Sequence, residues 1–213
     1  MVRVLLADDH EAIRRGVRQI IEERPGWTVC GEAPDGRQVV EMAVELAPDV
    51  VVLDVGMPGL NGLETARRIR RLVPSAEILI FTVHDTDEHI RQAVEAGAKG
   101  FVLKSDSGAM VLAAIEALAA HKPFLAPAAS ETILRSYMEG RNRLGAQRSI
   151  LSPREQEVIQ LVAEGRTSKE IATLLALSVK TVEAHRSAVM RKLGARSVAE
   201  LVRYAVRNRI VSL

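Results

Sequence analysis

The chain has 213 residues, 47% of them apolar, which is enough material for two ordinary domains. No run of about 18 apolar residues occurs, so a membrane span is not expected. The single cysteine, Cys30, excludes disulfide and multi-cysteine zinc frameworks and is best interpreted as a buried structural thiol. The N-terminus leads directly into a strand pattern and does not resemble a signal peptide, so we expect a cytoplasmic protein.

The net charge of +2 conceals an asymmetry along the chain. Residues 1–121 carry 13 Lys or Arg against 19 Asp or Glu, a net charge of −6. Residues 122–150 carry +3 and residues 151–213 carry +5. A basic C-terminal third points to a nucleic-acid partner, although solvated basic faces are common and the charge alone is a weak indication.

The first 121 residues alternate apolar strands with amphipathic helices. Five such units with short loops predict an α/β domain with a doubly wound, five-stranded parallel sheet and right-handed crossovers. The predicted strands are 2–7, 27–32, 49–53, 77–81 and 100–103, and the predicted helices are 11–23, 36–46, 62–72, 87–96 and 107–119.

The alternation stops after residue 121. Residues 122–150 are turn-like and then polar, which predicts an interdomain linker with a short helix near 128–139. From Leu151 the strand pattern gives way to four short helices, so residues 151–213 are predicted to form an all-α domain. The second and third helices are joined by Ala176-Leu177-Ser178, the turn length that a helix-turn-helix needs.

Polar side chains follow four of the predicted strands: Asp8 and Asp9, Asp54, Thr82 and Lys104. The carboxyl ends of parallel strands meet at one edge of a sheet, where three carboxylates would repel one another without a cation. A few carboxylates with water favour Mg²⁺, and an aspartate can attack phosphorus to give an acyl phosphate. Lys104 and Thr82 would then balance the new charge. Taken singly, each Asp is as well explained as a helix N-cap and Lys104 as a surface lysine.

The third C-terminal helix, near 179–193, exposes basic and small residues close to its N-terminus. Such a helix fits the major groove, although by itself it is equally well explained as a solvated or partner-binding face.

Leu6-Ala7-Asp8-Asp9-His10, Asp54 with Met57-Pro58, Thr82 and Lys104 resemble the receiver domain of two-component response regulators. The resemblance implies a flavodoxin-like domain whose Asp54 accepts a phosphoryl group from a sensor histidine kinase. It implies Mg²⁺ held by Asp9 and Asp54, by Asp8 through water and by the Gly56 carbonyl, and a switch pair, Thr82 and Phe101, in which the ring turns inwards. Ser105 follows Lys104 where many receivers have proline, so the cis Lys-Pro bond of those receivers cannot be assumed for this chain.

Leu151-Ser152-Pro153-Arg154-Glu155, Lys169-Glu170-Ile171-Ala172 and Thr181-Val182-Glu183-Ala184-His185 resemble the LuxR-type helix-turn-helix. Together the two resemblances indicate the NarL/FixJ class of response regulators. They imply a tetrahelical domain with a recognition helix at 179–193. They also imply a phosphorylation-dependent homodimer that binds double-stranded promoter DNA. RNA polymerase is a candidate further partner. The expected base-edge contacts are Lys180, Glu183, Ala184 and Ser187, with Thr181 nearby, and the expected phosphate contacts are Lys169, His185, Arg186, Arg191 and Lys192. For Glu183 two roles are open: it is expected either to contact a cytosine or to orient a neighbouring arginine.

We predict a DNA-binding regulator and not an enzyme, with autophosphorylation and autodephosphorylation at Asp54 as its only catalysis. Three other functions compete with this prediction. A phosphatase of the haloacid-dehalogenase type needs an Asp two residues after its nucleophile, and residue 56 is Gly. A phosphorylation-independent module would not need the complete acidic set. A ligand-sensing LuxR-type regulator would need a small-molecule pocket motif in the N-terminal half.

Overall fold

The computed structural model describes residues 1–83, 86–127, 129–131, 151–208 and 210–211. The chain forms two compact units, Met1–Asn142 and Arg143–Leu213. The predicted short helix near 128–139 falls mainly outside the described residues. Within the described part of the chain, no helix is long and apolar enough to cross a membrane.

The first unit is a parallel sheet with helices on both faces, as predicted. Its strands pair in the order β2-β1-β3-β4-β5-β6. The strands are β1 Val2–Ala7, β2 Trp27–Ala33, β3 Val50–Leu53, β4 Glu77–Thr82, β5 Gly100–Leu103 and β6 Phe124–Leu125. The helices are α1 Glu11–Glu22, α2 Gly36–Leu46, α3 Gly62–Leu72, α4 Asp87–Glu95 and α5 Gly108–Ala119.

The sheet has six strands where the sequence predicted five, because Phe124–Leu125 pairs in parallel with β5. A two-residue strand has no periodicity to detect, and the preceding Lys122-Pro123 is typical of a turn. The amide of Phe124 donates to the Lys99 carbonyl at 2.9 Å, and that of Ala126 donates to the Phe101 carbonyl at 3.1 Å. This short strand covers an edge of β5 that would otherwise be unpaired.

Alternating strand residues supply two apolar layers. Leu5, Val51 and Ile78 pack with α2, α3 and α4, while their neighbours on the other face, such as Val4 and Val52, pack with α1 and α5. Because helices cover both faces, the strands are apolar throughout. The topology reverses direction at β1 and β3, which places a crevice at their carboxyl ends, where such sheets bind ligands.

The described residues of the second unit form four helices, as predicted: α6 Pro153–Ala163, α7 Ser168–Leu175, α8 Val179–Leu193 and α9 Val198–Arg207. Two apolar clusters hold them together, one centred on Ile171 and Val182 and the other on Val189 and Leu201. The turn between α7 and α8 is fixed by Ala176 at φ 52°, and α8 ends at Gly194 with φ 65°. The second and third helices thus form a helix-turn-helix.

Candidate functional site

The acidic side chains that follow β1 and β3 converge. Asp8, Asp9, His10 and Asp54 each offer a ligand atom, and these atoms all lie within 4.8 Å of one another. The Asp54 amide donates to the Ala7 carbonyl at 2.9 Å, which extends the pairing of β3 with β1 and brings Asp54 beside Asp8. Asp8 and Asp54 are buried, each with 4% of the residue exposed, whereas Asp9 is exposed.

Lys104 enters this cluster from the end of β5. Its Nζ lies 2.7 Å from Asp8 Oδ2 and 2.8 Å from Asp54 Oδ2, and only 7% of its side chain is exposed. The Lys104–Ser105 peptide bond is trans. The loop is secured by the Lys104 amide, which donates to the Thr82 carbonyl at 2.9 Å, and by the Leu103 amide, which donates to Asp106 Oδ2 at 2.9 Å. The Lys104 ammonium therefore bridges the two buried carboxylates, although the residue that follows Lys104 is serine and not proline.

The electrostatics of the cluster are incompletely balanced. Burial raises the pKa of Asp8 above its ordinary value, against the lowering effect of Lys104 and the His10 amide. Burial lowers the pKa of Lys104, but attraction to Asp54 and Asp8 outweighs it, so the pKa lies above its ordinary value and the ammonium stays charged. Asp54 Oδ1 is buried and accepts no hydrogen bond within the described part of the chain. A second positive charge would fit this site.

The two predicted switch residues are both buried. Thr82 ends β4 and is 0% exposed, and Phe101 in β5 is 2% exposed, with its side chain in the apolar layer beneath α2 to α4. Phe101 is therefore turned inwards in this structure. Gly56 is half-buried in the loop after Asp54.

Two residues of the site were not predicted. The His10 amide donates to Asp8 Oδ1 at 2.9 Å, and its Nδ1 lies 2.7 Å from Asp9 Oδ1. Arg14 donates from Nη1 to the Asp8 carbonyl at 2.6 Å and holds the corner between β1 and α1. The signal available in the sequence was position: both residues lie close behind the acidic pair, at the start of α1.

The loop after Asp54 is held by close backbone contact. A Cβ on Gly62 would overlap the Asp54 carbonyl oxygen and come within 2.8 Å of Val55 Cα. The Asn61 side chain caps α3 by accepting from the Glu64 amide at 3.0 Å. Residue 62 must therefore be glycine for α3 to begin beside Asp54.

The ten residues predicted to contact DNA lie on α7 and α8 of the second unit. Seven of the ten candidate residues are exposed: Lys169, Lys180, Glu183, Ala184, Ser187, Arg191 and Lys192. Thr181, His185 and Arg186 are half-buried.

Three of these candidates, Glu183, Arg186 and Lys192, form ion pairs within the helical unit. Lys192 Nζ lies 2.7 Å from Glu155 Oε2, and Arg186 Nη1 lies 3.4 Å from Glu183 Oε1. The contact between Lys192 and Glu155 crosses from α8 to the start of α6, so local sequence patterns gave no sign of it.

Comparison with known proteins identifies both units. Residues 4–116 match the response regulator receiver domain, and residues 149–205 match the bacterial regulatory proteins of the luxR family. The chain is 37% identical over 213 residues to the transcriptional regulatory protein LiaR of Bacillus subtilis, covering 100% of both chains. It is 35% identical over 209 residues to the nitrate/nitrite response regulator protein NarL of Escherichia coli K12, covering 97% of this chain and 96% of NarL.

Solved structures give the same result. RcsB of Salmonella enterica serovar Typhimurium, bound to promoter rprA in the presence of the phosphomimetic BeF3⁻, has a TM-score of 0.67 and 28% identity, with 95% of this chain and 97% of that chain covered. A LuxR-family two-component response regulator from Aurantimonas sp. has a TM-score of 0.62 and 39% identity, with 65% of this chain and 99% of that chain covered. The names of these relatives are those of regulators and not of turnover enzymes. The chain belongs to the NarL/FixJ family of two-component response regulators, with a receiver domain followed by a LuxR-type helix-turn-helix.

Proposed function

We propose that the chain is a DNA-binding transcription regulator switched by phosphorylation of Asp54 by a sensor histidine kinase. The observation that carries this proposal is the buried Asp54 carboxylate: Oδ2 is held by Lys104 at 2.8 Å, and Oδ1 has no hydrogen-bond partner among the described residues. One oxygen is thus anchored and the other is free to act as a nucleophile.

The reaction at this site is a phosphoryl transfer. An Asp54 oxygen attacks the phosphorus of phosphohistidine, the new P–O bond forms as the P–N bond breaks, and the electron pair of that bond leaves with the imidazole. The product is an acyl phosphate, whose phosphoryl group brings new negative charge into the site. Lys104 is already in place to pair with it, and the Thr82 hydroxyl at the end of β4 is the candidate hydrogen-bond donor to a phosphoryl oxygen.

The donor set fits Mg²⁺. Asp8, Asp9 and Asp54 offer the oxygen ligands that this ion prefers, with the Gly56 carbonyl as a further candidate, and the raised pKa of Asp8 reflects a carboxylate whose charge is not fully matched. When bound, the ion would offset charge on the transferred group. Aside from autophosphorylation and autodephosphorylation at Asp54, no turnover is proposed.

The output of the switch is DNA binding. Phosphorylation would draw Thr82 towards Asp54, where Lys104 already lies, and would shift an existing equilibrium of the α4 to β5 region. That shift would favour a homodimer, whose two α8 helices bind paired half-sites in promoter DNA, with RNA polymerase as a candidate partner. RcsB bound to a promoter in the presence of a phosphomimetic supports this sequence of events by analogy.

Labelling with a small phosphodonor tests the chemistry. With radiolabelled acetyl phosphate and Mg²⁺, the full chain should acquire label, Asp54→Asn should acquire none, and chelation of Mg²⁺ should abolish labelling. Asp49→Asn is the matched control, since Asp49 lies at the opposite end of the same strand and accepts from the Arg3 amide. Undiminished label on Asp54→Asn would refute the assignment.

DNA affinity tests the output. The phosphodonor should tighten binding to a promoter fragment by roughly 5- to 150-fold, the usual range of allosteric coupling, and Asp54→Asn should remove the difference. Equal affinity with and without phosphodonor would instead support a regulator that works without phosphorylation.

A further inference from the structure

A hydrogen-bonded triad joins the two helices of the helix-turn-helix. Arg186 of α8 donates from Nη1 to Ser168 Oγ of α7 at 2.6 Å and lies 3.4 Å from Glu183 Oε1. The Ser168 hydroxyl in turn bonds to the same Glu183 oxygen. A serine hydroxyl has one proton, and since it accepts from Arg186 its proton is directed to Glu183. The triad therefore fixes the rotamers of both charged side chains.

The position of Glu183 needs an explanation. It is the sole acidic residue of α8, and its side chain is 53% exposed on a helix that also carries Lys180, Arg191 and Lys192. A carboxylate on the DNA-facing helix is repelled by the phosphate charge of the duplex. Arg186 beside it cancels that charge locally, so the pair adds no net charge to the face.

The Glu183 carboxylate keeps one oxygen available. Oε1 carries the contacts with Ser168 and Arg186, while Oε2 makes no hydrogen bond within the described part of the chain. In the major groove, a glutamate accepts from the exocyclic N4 amino group of cytosine, because the other amino donor, N6 of adenine, lies beside the N7 acceptor, which repels a carboxylate. A carboxylate held in one rotamer loses little entropy when it makes that bond.

We propose that Glu183 determines sequence specificity by accepting a hydrogen bond from a cytosine, with Arg186 and Ser168 as positioning residues. This inference rests on the proposed DNA-binding function and gives Arg186 a role other than the phosphate contact expected from the sequence. The pair selects among duplexes and adds little to the affinity for DNA in general, because its two charges cancel.

The test is selection of binding sites from randomised duplex DNA by the full chain in the presence of acetyl phosphate and Mg²⁺. Wild-type protein should enrich a cytosine at one position of each half-site. Glu183→Gln should lower that preference by roughly fivefold or more, leaving the other positions as they are. The same variant should bind mixed-sequence duplex more tightly, with a salt dependence steeper by about one ion, because Arg186 is then free to pair with phosphate.

Arg186→Ala should weaken the same cytosine preference and also lower the affinity for mixed-sequence duplex, because the carboxylate is left uncompensated. Ser168→Ala should weaken the preference with little change in mixed-sequence affinity. Glu200→Gln and Arg203→Ala are matched controls, since these residues form an (i, i+3) pair on α9 and should change neither quantity. Circular dichroism confirms that each variant is folded.

Three outcomes separate the possibilities. If wild-type protein selects no site, the proposed function fails. If it selects a site and Glu183→Gln or Arg186→Ala selects the same site with the same preference at every position, the specificity role is refuted while the regulator stands. If Glu183→Gln loses affinity for every duplex equally, the triad is a structural link between α7 and α8 and the inference is again refuted.

Discussion

The receiver domain and the helix-turn-helix differ in how completely the polar groups at their helix starts and in their interior are satisfied. All four helices of the second domain begin with a side-chain cap, supplied by Ser152, Thr167, Ser178 and Ser197. In the receiver, the N-cap of α1 is His10, which makes no capping bond and lies against Asp8 and Asp9 instead. Asp54 Oδ1 is likewise buried without a partner among the described residues.

This contrast indicates where a ligand is needed. Buried charge that lacks partners costs free energy, so the receiver site gains most from a cation or a phosphoryl group. The capped and packed helices need neither to hold the recognition helix in shape. Phosphorylation would therefore act on how the recognition helices are presented to DNA and not on whether they are folded.

Two lysines provide the strongest test of the contrast. Lys104→Met would leave Asp8 and Asp54 buried without their bridging ammonium, and should lower the free energy of unfolding of the receiver by about 3–5 kcal/mol in Mg²⁺-free buffer. Lys192→Met breaks a pair with Glu155 in which the lysine side chain is 40% exposed, and should cost about 1 kcal/mol or less.

The two domains require separate probes in the urea titration, because a two-domain chain does not unfold in one two-state step. Trp27, the sole tryptophan, reports the receiver by fluorescence, and amide hydrogen exchange along α8 reports the helical domain. Lys122 is exposed, so Lys122→Met measures how much the free energy of unfolding changes when a lysine charge without a buried partner among the described residues is removed. If Lys104→Met and Lys192→Met lowered the free energy of unfolding by similar amounts, the buried carboxylates of the receiver would depend on their lysine no more than Glu155 does.

Two glycines test the backbone in the same way. A Cβ at Gly62 would meet the Asp54 carbonyl and Val55 Cα, so Gly62→Ala should cost about 3 kcal/mol and reduce labelling of Asp54. Gly194 has φ 65°, and a methyl group added there would have no heavy atom within 4 Å, so Gly194→Ala should cost about 1 kcal/mol, from backbone strain alone. Denaturation followed by the same two probes measures both. Unchanged labelling of Gly62→Ala would show that the loop tolerates the displacement.

The convergence of side chains at the receiver site could be predicted from the sequence, because the carboxyl ends of parallel strands meet at one edge of a sheet. Asp8, Asp54 and Lys104 were placed together from strand ends alone, and the structure brings the Lys104 ammonium within 2.8 Å of both carboxylates. Contacts between distant segments were missed, because periodicity shows which face a residue lies on but not what it touches. The pairing of Lys192 with Glu155, 37 residues away, is one example.

Two glutamates that are neither predicted metal ligands nor predicted DNA contacts, Glu77 and Glu155, should behave alike in the two domains. We expect this to be the smallest difference between the domains. Burial raises the pKa of Glu77, but hydrogen bonds from Lys99 and His121 outweigh it, so the pKa lies below its ordinary value. Burial likewise raises the pKa of Glu155, and hydrogen bonds from Lys192 and Ser152 outweigh it. A carboxylate whose folded pKa is lowered adds stability above its unfolded pKa, and this stability is lost as the pH falls through the folded value. Glu77→Gln and Glu155→Gln should each cost about 1 kcal/mol at neutral pH, and the cost should shrink as the solution is acidified below about pH 4. Urea titrations at a series of pH values, with the probe of each domain, measure this. A cost that does not change with pH would mean that these glutamates stabilise the fold through packing and not through charge.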